Sequence, residues 1–136
     1  MKVSFLGCGS WGGALGHLAS KNGYDVLMWH RNSDVVKQMI QSRSHYILPQ
    51  MVFKDQVKFT DDIKKTVDHA DILVLSTPSQ TVRGVLESTG TIDKNKIIVN
   101  IAKGIETETL MTVSDVIIDV KDFNYSNIVA LSGPSH

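Results

Sequence analysis

The sequence predicts an α/β fold in which helices cover both faces of a doubly wound parallel sheet. Apolar runs of strand length alternate with segments of helical periodicity along the whole chain. The runs are continuously apolar instead of alternating with polar residues, which is typical of strands that are buried on both faces. A glycine-rich turn joins the first run to the first helical segment, as the first strand-turn-helix unit of such a sheet requires.

Six strands are predicted from the apolar runs. In chain order they are residues 3–6, 25–29, 57–60, 70–76, 96–101 and 127–131. The run 70–76 gives the clearest signal and the run 57–60 the weakest.

Helices are predicted between the strands, where apolar residues recur at helical spacing. The expected inward positions are Leu15 and Leu18 in the first helix, Val36, Met39 and Ile40 in the second, Val82, Val85 and Leu86 in the fourth, and Leu110, Val113, Val116, Ile117 and Val120 in the last. Ser33 or Asp34 is expected to cap the second helix, and Thr60-Asp61-Asp62 to open the third. Residues 42–54 are expected to be irregular, since Pro49 interrupts any helix there.

The turn after the first strand carries the pattern G-x-G-x-x-G at Gly7, Gly9 and Gly12. Gly7 permits the tight turn, Gly9 lets a pyrophosphate approach the backbone, and Gly12 lets the helix pack closely on the strand. The unpaired N–H groups and the dipole at the start of the following helix favour phosphate binding. The pattern therefore predicts a Rossmann-type, dinucleotide-binding domain that occupies residues 1–136.

The end of the second strand bears on which dinucleotide is bound. NAD-specific proteins usually place an acidic residue there to bind the ribose 2′-hydroxyl, whereas this sequence has His30 and Arg31. A guanidinium can hold a 2′-phosphate through two hydrogen bonds. NADP is therefore favoured as the cofactor and NAD is the second choice, while an ordinary solvated Arg31 is the alternative interpretation.

Two later strand ends carry candidate substrate ligands. Lys103 lies in the loop after the fifth strand, next to Gly104, and a cation at that position suits a phosphorylated or carbonyl-bearing substrate; a solvated surface lysine is the alternative. Residues 132–135, Ser-Gly-Pro-Ser, offer hydroxyl groups and a glycine N–H to a small polar ligand. They equally suit a simple exit turn.

Composition argues against several classes of protein. The chain has 14 basic and 14 acidic residues, so it has no positive field that would attract nucleic acid. It has no apolar run of membrane-spanning length, and no pair of its histidines has metal-ligand spacing.

Met1-Lys2 leads directly into a strand without room for a signal peptide, and the single Cys8 fits a reducing compartment, so a cytoplasmic location is expected. Cys8 is expected to be a small loop filler; the alternative is a thiol whose pKa the helix start lowers.

Four motifs occur in the order that they have in one enzyme family. They are Gly7-Cys8-Gly9-Ser10-Trp11-Gly12, the stretch 74–79 with its Thr-Pro-Ser, Lys103-Gly104-Ile105-Glu106, and the stretch 131–135 with its Ser-Gly-Pro-Ser. In these motifs, and over essentially its whole length, the chain closely resembles the bacterial NAD(P)-dependent glycerol-3-phosphate dehydrogenase. The Ser-Trp pair and the Lys-Gly-Ile-Glu loop are specific to that family.

The resemblance implies an activity and a set of ligands. The activity is the reduction of dihydroxyacetone phosphate to sn-glycerol 3-phosphate for phospholipid synthesis, by a full-length enzyme that is a homodimer. The implied roles are cofactor binding by Ser10, Trp11, His30, Arg31 and Lys103, and substrate binding by Lys103, Gly133 and Ser135, with Lys103 acting electrostatically in catalysis. The general base of the family is a lysine in a helical C-terminal domain, before which this chain stops. We therefore expect the 136 residues to bind nucleotide without turnover.

Two other functions stay open at this point. Another two-domain dehydrogenase, of the hydroxyacid or 6-phosphogluconate type, is built on the same half, but typically lacks the tryptophan after the serine and the Lys-Gly-Ile-Glu loop. The second alternative is a free-standing nucleotide-binding sensor that catalyses no reaction.

Overall fold

The computed structural model describes residues 1–133, which form six strands and five α-helices. The strands are β1 (Lys2–Leu6), β2 (Asp25–Trp29), β3 (Lys58–Thr60), β4 (Ile72–Leu75), β5 (Ile97–Asn100) and β6 (Ile128–Ala130). The helices are α1 (Ser10–Lys21), α2 (Ser33–Ser42), α3 (Ile63–His69), α4 (Val82–Ser88) and α5 (Val113–Lys121). No helix in this part of the chain is long and apolar enough to cross a membrane.

All six strands lie parallel in one sheet, in the order β3-β2-β1-β4-β5-β6. The chain winds outward from β1 to β3, then crosses over to β4 and winds outward in the opposite direction. This confirms the predicted doubly wound α/β fold. The winding direction reverses between β1 and β4, and ligands of such sheets bind outside the carboxyl ends of the strands at that point.

Each face of the sheet has its own core, because successive side chains of a strand point to opposite faces. Leu6 and Leu75 pack with side chains of α3, α4 and α5 on one face. Phe5 and Val74 pack with side chains of α1, α2 and residues 51–57 on the other. Burial on both faces is what the continuously apolar runs predict.

The prediction that Leu18 faces inward is wrong, since its side chain is 53% exposed. Helix α1 turns its small residues to the sheet instead, and Gly12, Gly13 and Gly16 are buried. A Cβ atom at Gly16 would lie only 1.9 Å from the Cε of Met28. Helix α1 thus approaches the sheet too closely for larger side chains on its inner face. A prediction from the spacing of the leucines alone therefore assigns the wrong face of the helix to the core.

Two other positions predicted to face inward are also exposed. Ile40 lies on the outer side of α2 and is 50% exposed. Leu110 is 73% exposed and precedes α5, with a φ of 59°. Helix α5 begins later because Thr112 and Asp115 form a capping box, in which each side chain accepts a hydrogen bond from the other residue's backbone N–H.

The sequence predicts the starts of helices α2 and α3 to within one residue. Helix α2 is capped by Asn32, one position before the expected Ser33 or Asp34, and the Oδ1 of Asn32 accepts a 2.9 Å hydrogen bond from the N–H of Asp34. The predicted opening of α3 is confirmed, since the Oδ1 of Asp62 accepts a 3.0 Å hydrogen bond from the N–H of Lys65.

Candidate functional site

Three adjoining clefts lie along the carboxyl ends of the strands. The central cleft has a volume of about 700 Å³ and lies between the glycine loop (residues 7–12), residues 76–78 and Lys103. The two neighbouring clefts share lining residues with it. The clefts together follow the edge of the sheet where the topology predicts a ligand.

The side clefts bring the remaining predicted residues to this edge. The β2-side cleft, of about 300 Å³, is lined by His30, Arg31 and Tyr46. The β6-side cleft, of about 440 Å³, is lined by Trp11, Lys103 and Gly133. Trp11, which is 45% exposed, forms a wall shared by this cleft and the central one.

At Gly7 and Gly12 the glycine loop is packed against the end of β4 without room for a side chain. Gly7 has a φ of 114°, and a Cβ atom there would lie 2.9 Å from the backbone of Ser76. A Cβ atom at Gly12 would lie 2.8 Å from the carbonyl oxygen of Gly7 and 2.8 Å from Oγ of Ser76. The Ser76 hydroxyl donates a 2.6 Å hydrogen bond to the Gly7 carbonyl, which holds the loop onto β4.

Gly9 differs from these two glycines because a Cβ atom there would meet nothing within 4 Å. Its φ of −63° and ψ of −176° are open to any residue. Packing and backbone conformation therefore do not explain a glycine at this position. A ligand that comes close to the backbone from the cleft would explain it.

The loop fits a pyrophosphate group. Helix α1 begins at Ser10, and its N-cap residue Gly9 has no side chain that could occupy the N–H groups of the first turn. Those N–H groups have no partners within the helix and attract an anion. The hydroxyl oxygen of Thr77, a residue that also lines the central cleft, is buried and has no hydrogen-bonding partner among residues 1–133.

Cys8 is a filler of this loop, as predicted. The residue is fully buried, and burial raises the pKa of its thiol to about 12. The alternative of a thiol with a lowered pKa is therefore wrong, because burial disfavours the charged thiolate.

At the end of β2, His30 and Arg31 have different electrostatic roles. The Nδ1 of His30 accepts a 3.0 Å hydrogen bond from the N–H of Asn32, so any proton of the neutral ring is on Nε2. Burial lowers the pKa of His30, and the positive charge of Arg31 acts in the same direction. His30 is therefore a neutral donor at neutral pH, while Arg31 contributes a permanent positive charge to the β2-side cleft.

The loop that carries Lys103 is held by α4 and the turn before it. Gln80 donates a 2.6 Å hydrogen bond to the carbonyl of Ile105 and accepts a 3.0 Å hydrogen bond from the N–H of Thr107. Gly104 has a φ of 101°, and a Cβ atom there would lie 3.2 Å from Oγ of Ser79. The backbone beside Lys103 therefore has a defined course along the central cleft.

A Ser-His-Asp arrangement, which sequence spacing did not indicate, lies at the opposite end of the sheet. The Oγ of Ser4 is 2.8 Å from the Nδ1 of His69, and the Nε2 of His69 is 3.3 Å from the carboxylate of Asp25. Ser4 is fully buried within β1. Since no substrate can reach its hydroxyl, the arrangement ties α3 to β1 and β2 and is not a nucleophilic site.

All the predicted site residues within the described range line the three clefts, and Ser135 lies outside the described residues. Their contacts with a ligand stay predictions. Tyr46 was missed, although its ring lies 5.1 Å from that of His30 and closes the β2-side cleft. It comes from the irregular segment after α2, where spacing gives no signal.

The family model for the N-terminus of NAD-dependent glycerol-3-phosphate dehydrogenase matches residues 2–136. The chain belongs to this family. This match favours the glycerol-3-phosphate dehydrogenase family over the alternative of a hydroxyacid or 6-phosphogluconate type of dehydrogenase.

Two curated members of the family and one solved structure show the extent of the similarity. The chain is 39% identical over 138 residues to glycerol-3-phosphate dehydrogenase of Fusobacterium nucleatum, covering 100% of this chain and 41% of that protein. It is 38% identical over 140 residues to a second such enzyme, from Lactobacillus delbrueckii, covering 99% and 42%. The crystal structure of glycerol-3-phosphate dehydrogenase from Coxiella burnetii shares the fold, with a TM-score of 0.86 at 24% identity, over 99% of this chain and 41% of that one. The chain thus spans about 41% of the length of the first relative.

Proposed function

We propose that this chain is the nucleotide-binding part of a glycerol-3-phosphate dehydrogenase, which reduces dihydroxyacetone phosphate to sn-glycerol 3-phosphate with NADPH. The observation that carries the proposal is the row of clefts along the strand ends. The glycine loop, Arg31 and Lys103 line adjoining spaces there. The names of the curated relatives support the choice of reaction.

The central cleft would hold the pyrophosphate. The N–H groups at the start of α1 donate to its oxygens, and the helix dipole favours its charge. Gly9 leaves the backbone accessible. These contacts do not distinguish NADH from NADPH, because both carry the same pyrophosphate.

The β2-side cleft would distinguish the two cofactors. A 2′-phosphate at the end of β2 meets the guanidinium of Arg31 and the Nε2–H of a neutral His30, whereas NADH offers only a hydroxyl there. Since charged hydrogen bonds are stronger than neutral ones, NADPH gains more from Arg31. We propose NADPH as the preferred cofactor on this basis.

Lys103 would bind the substrate next to the cofactor. When bound, the dinucleotide would supply a hydride, and the carbonyl oxygen of the substrate would then gain negative charge. The ammonium of Lys103, at the junction of the central and β6-side clefts, stabilises that charge more than it stabilises the neutral ketone. Only such a difference raises the rate.

The remaining parts of the proposal concern the rest of the enzyme. The proton donor and the main contacts with the substrate phosphate come from a helical C-terminal domain, and the full-length enzyme is a homodimer. Gly133 and Ser135, which follow β6, contribute to the substrate site at the junction with that domain.

Titration and assay of the 136-residue chain test the proposal together. Addition of NADPH should quench the tryptophan fluorescence saturably, because Trp11 lines the central cleft and Trp29 lines the β2-side cleft. With dihydroxyacetone phosphate added, oxidation of NADPH should stay at background. Absence of saturable binding to either cofactor would overturn the proposal, and turnover by the chain would overturn the assignment of the proton donor to another domain. The sensor alternative is favoured if a chain that also carries the C-terminal domain still fails to turn over.

A further inference from the structure

The imidazole of His45 is buried against the glycine loop, far from its own position in the sequence. His45 is 1% exposed, and its Nε2 lies 2.8 Å from the carbonyl oxygen of Cys8. The carbonyl oxygen of Gly9 is 3.3 Å from the same nitrogen. One side chain of the segment 43–53 thus contacts the two peptide groups that precede α1.

The hydrogen bonds of the ring fix its tautomer. The Nδ1 of His45 lies 3.1 Å from the backbone nitrogens of both Ile47 and Leu48. A backbone N–H can only donate, so Nδ1 accepts and carries no proton. The proton of the neutral ring is therefore on Nε2, where it is donated to the Cys8 carbonyl.

This hydrogen bond determines where the N–H of Gly9 points. In a trans peptide the carbonyl of one residue and the N–H of the next point in opposite directions. Because the Cys8 carbonyl faces His45, the N–H of Gly9 faces away from it. Gly9 lines the central cleft, and its N–H is one of the donors at the start of α1 that a pyrophosphate would meet.

The neighbours of His45 leave its ring little freedom. A Cβ atom at Gly13 would lie 2.5 Å from both Cδ2 and Nε2 of the ring, so a glycine is needed in α1 for the imidazole to fit. On the other side the ring of Tyr46 stacks on it at 5.0 Å. The same segment thereby holds the glycine loop through His45 and forms a wall of the β2-side cleft through Tyr46.

We propose that His45 is a positioning residue for cofactor binding: by holding the Cys8 carbonyl, it keeps the N–H of Gly9 directed at the pyrophosphate site. This inference rests on the proposed binding of a dinucleotide by the glycine loop. Since the pyrophosphate is common to both cofactors, loss of the His45 hydrogen bond weakens NADH and NADPH equally. In that respect His45 differs from Arg31.

Two conservative variants test the hydrogen bonds of the two ring nitrogens separately. The side chain of His45→Gln can place an N–H donor where Nε2 lies, while that of His45→Asn can place an acceptor only where Nδ1 lies. Affinities for NADH and NADPH would be measured by tryptophan quenching, and thermal unfolding would be followed for each variant. His69→Asn is the control, because it likewise removes the Nε2 end of a histidine ring, which here lies 3.3 Å from the carboxylate of Asp25 at the opposite end of the sheet.

We expect His45→Asn to bind both cofactors about tenfold more weakly, the effect of one lost hydrogen bond to a charged site, and His45→Gln to recover most of the loss. His69→Asn should lower the melting temperature without changing either affinity. Unchanged binding by His45→Asn, or an equal loss in His45→Gln, would overturn the inference. A wild-type chain that binds neither cofactor would instead overturn the proposed function, and the positioning role with it.

If neither variant folds, the wild-type protein still tests the role of the ring. A long-range ¹H–¹⁵N spectrum should show Nδ1 without a proton and Nε2 with a proton that exchanges slowly with water. Addition of NADH should shift the amide resonance of Gly9 while the Nε2 proton stays protected. A proton on Nδ1, or a Gly9 amide that the cofactor leaves unshifted, would contradict the inference.

Discussion

Arg83 and Glu106 are joined by two parallel hydrogen bonds, from Nε to Oε1 at 2.8 Å and from Nη2 to Oε2 at 3.0 Å. The hydroxyl of Thr109 donates to the same carboxylate. The pair connects α4 to the loop that begins at Lys103, and Glu106 is largely buried. Together with Gln80, it fixes the course of the backbone that follows the candidate substrate-binding lysine.

Arg83, and after it Thr109, hold the pKa of Glu106 below its usual range. A depressed pKa in the folded state means that the ion pair stabilises the protein above the unfolded value of about 4.3. The stabilisation is lost as the pH falls below that value through the lower folded pKa. We therefore expect Glu106→Gln to melt well below the wild type at pH 7, with a difference that shrinks as the pH is lowered to about 3.

The matched control is Asp119→Asn. Asp119 accepts a 2.6 Å hydrogen bond from Nη1 of the same arginine, but its side chain is 49% exposed. Exposed ion pairs contribute little, so its loss should lower the melting temperature less than the loss of Glu106. A difference between wild type and Glu106→Gln that does not change with pH would show that the carboxylate charge is unimportant.

Gly13→Ala and Gly84→Ala should have opposite effects on stability. Both glycines lie within helices, where alanine is normally favoured by about 0.5–1 kcal/mol. A Cβ atom at Gly84 would meet nothing within 4 Å, whereas one at Gly13 would lie 2.5 Å from the ring of His45. Denaturant unfolding should show Gly84→Ala stabilised, and Gly13→Ala destabilised by about 1–3 kcal/mol through overpacking. Stabilisation by both substitutions would mean that His45 does not occupy the space beside Gly13.

Much of the fold could be predicted because it depends on local patterns. Continuous apolar runs identify buried parallel strands, and the glycine pattern places the first turn and the start of α1. Leu18 was placed wrongly because the close approach of α1 to Met28 selects glycines on the inner face. Leu110 was assigned to a helix because apolar spacing continues into the loop, whereas the Thr112–Asp115 capping box sets the boundary.

Only those residues of the candidate site that lie close to the end of a strand could be predicted from the sequence. Arg31 and Lys103 lie within three residues of the ends of β2 and β5, so the parallel sheet brings them to one edge. The contact of His45 with Cys8 joins residues 37 positions apart through an irregular segment, and the Arg83–Glu106 pair spans 23 positions. No periodicity encodes such contacts, since they depend on how loops pack after the sheet has formed.

Arg31→Glu should change cofactor preference. The substitution replaces the proposed partner of the 2′-phosphate with a like charge, while NADH has no phosphate at that position. A charged hydrogen bond contributes about 1.5–3 kcal/mol, so NADPH affinity should fall at least about tenfold with NADH affinity little changed. Lys58→Glu, an equal change of charge at an exposed position of β3, is the control for long-range electrostatics. Equal weakening of both cofactors would return Arg31 to the solvated interpretation.

Lys103→Met should impair the reaction more than cofactor binding, measured in a chain that carries both domains of the enzyme. Methionine keeps the length of the side chain and removes its charge, and position 103 is exposed, so folding should be little affected. We expect kcat/KM for dihydroxyacetone phosphate to fall about 100-fold or more, as when one charge-stabilising donor is removed. Lys64→Met, in an exposed position of α3, should leave kcat/KM unchanged. A Lys103→Met enzyme with near-normal kcat/KM would make Lys103 an ordinary surface lysine.

Cofactor binding by Gly9→Ala tests the central claim most directly. A Cβ atom at Gly9 meets no protein atom within 4 Å and the backbone there suits alanine, so the melting temperature should not fall. The added methyl group would nevertheless occupy the space in which the pyrophosphate approaches the loop. We predict saturable binding of NADPH to the wild-type chain and a loss of affinity of at least about tenfold in Gly9→Ala. A Gly9→Ala chain that binds NADPH as tightly as the wild type would contradict the placement of the dinucleotide on the glycine loop.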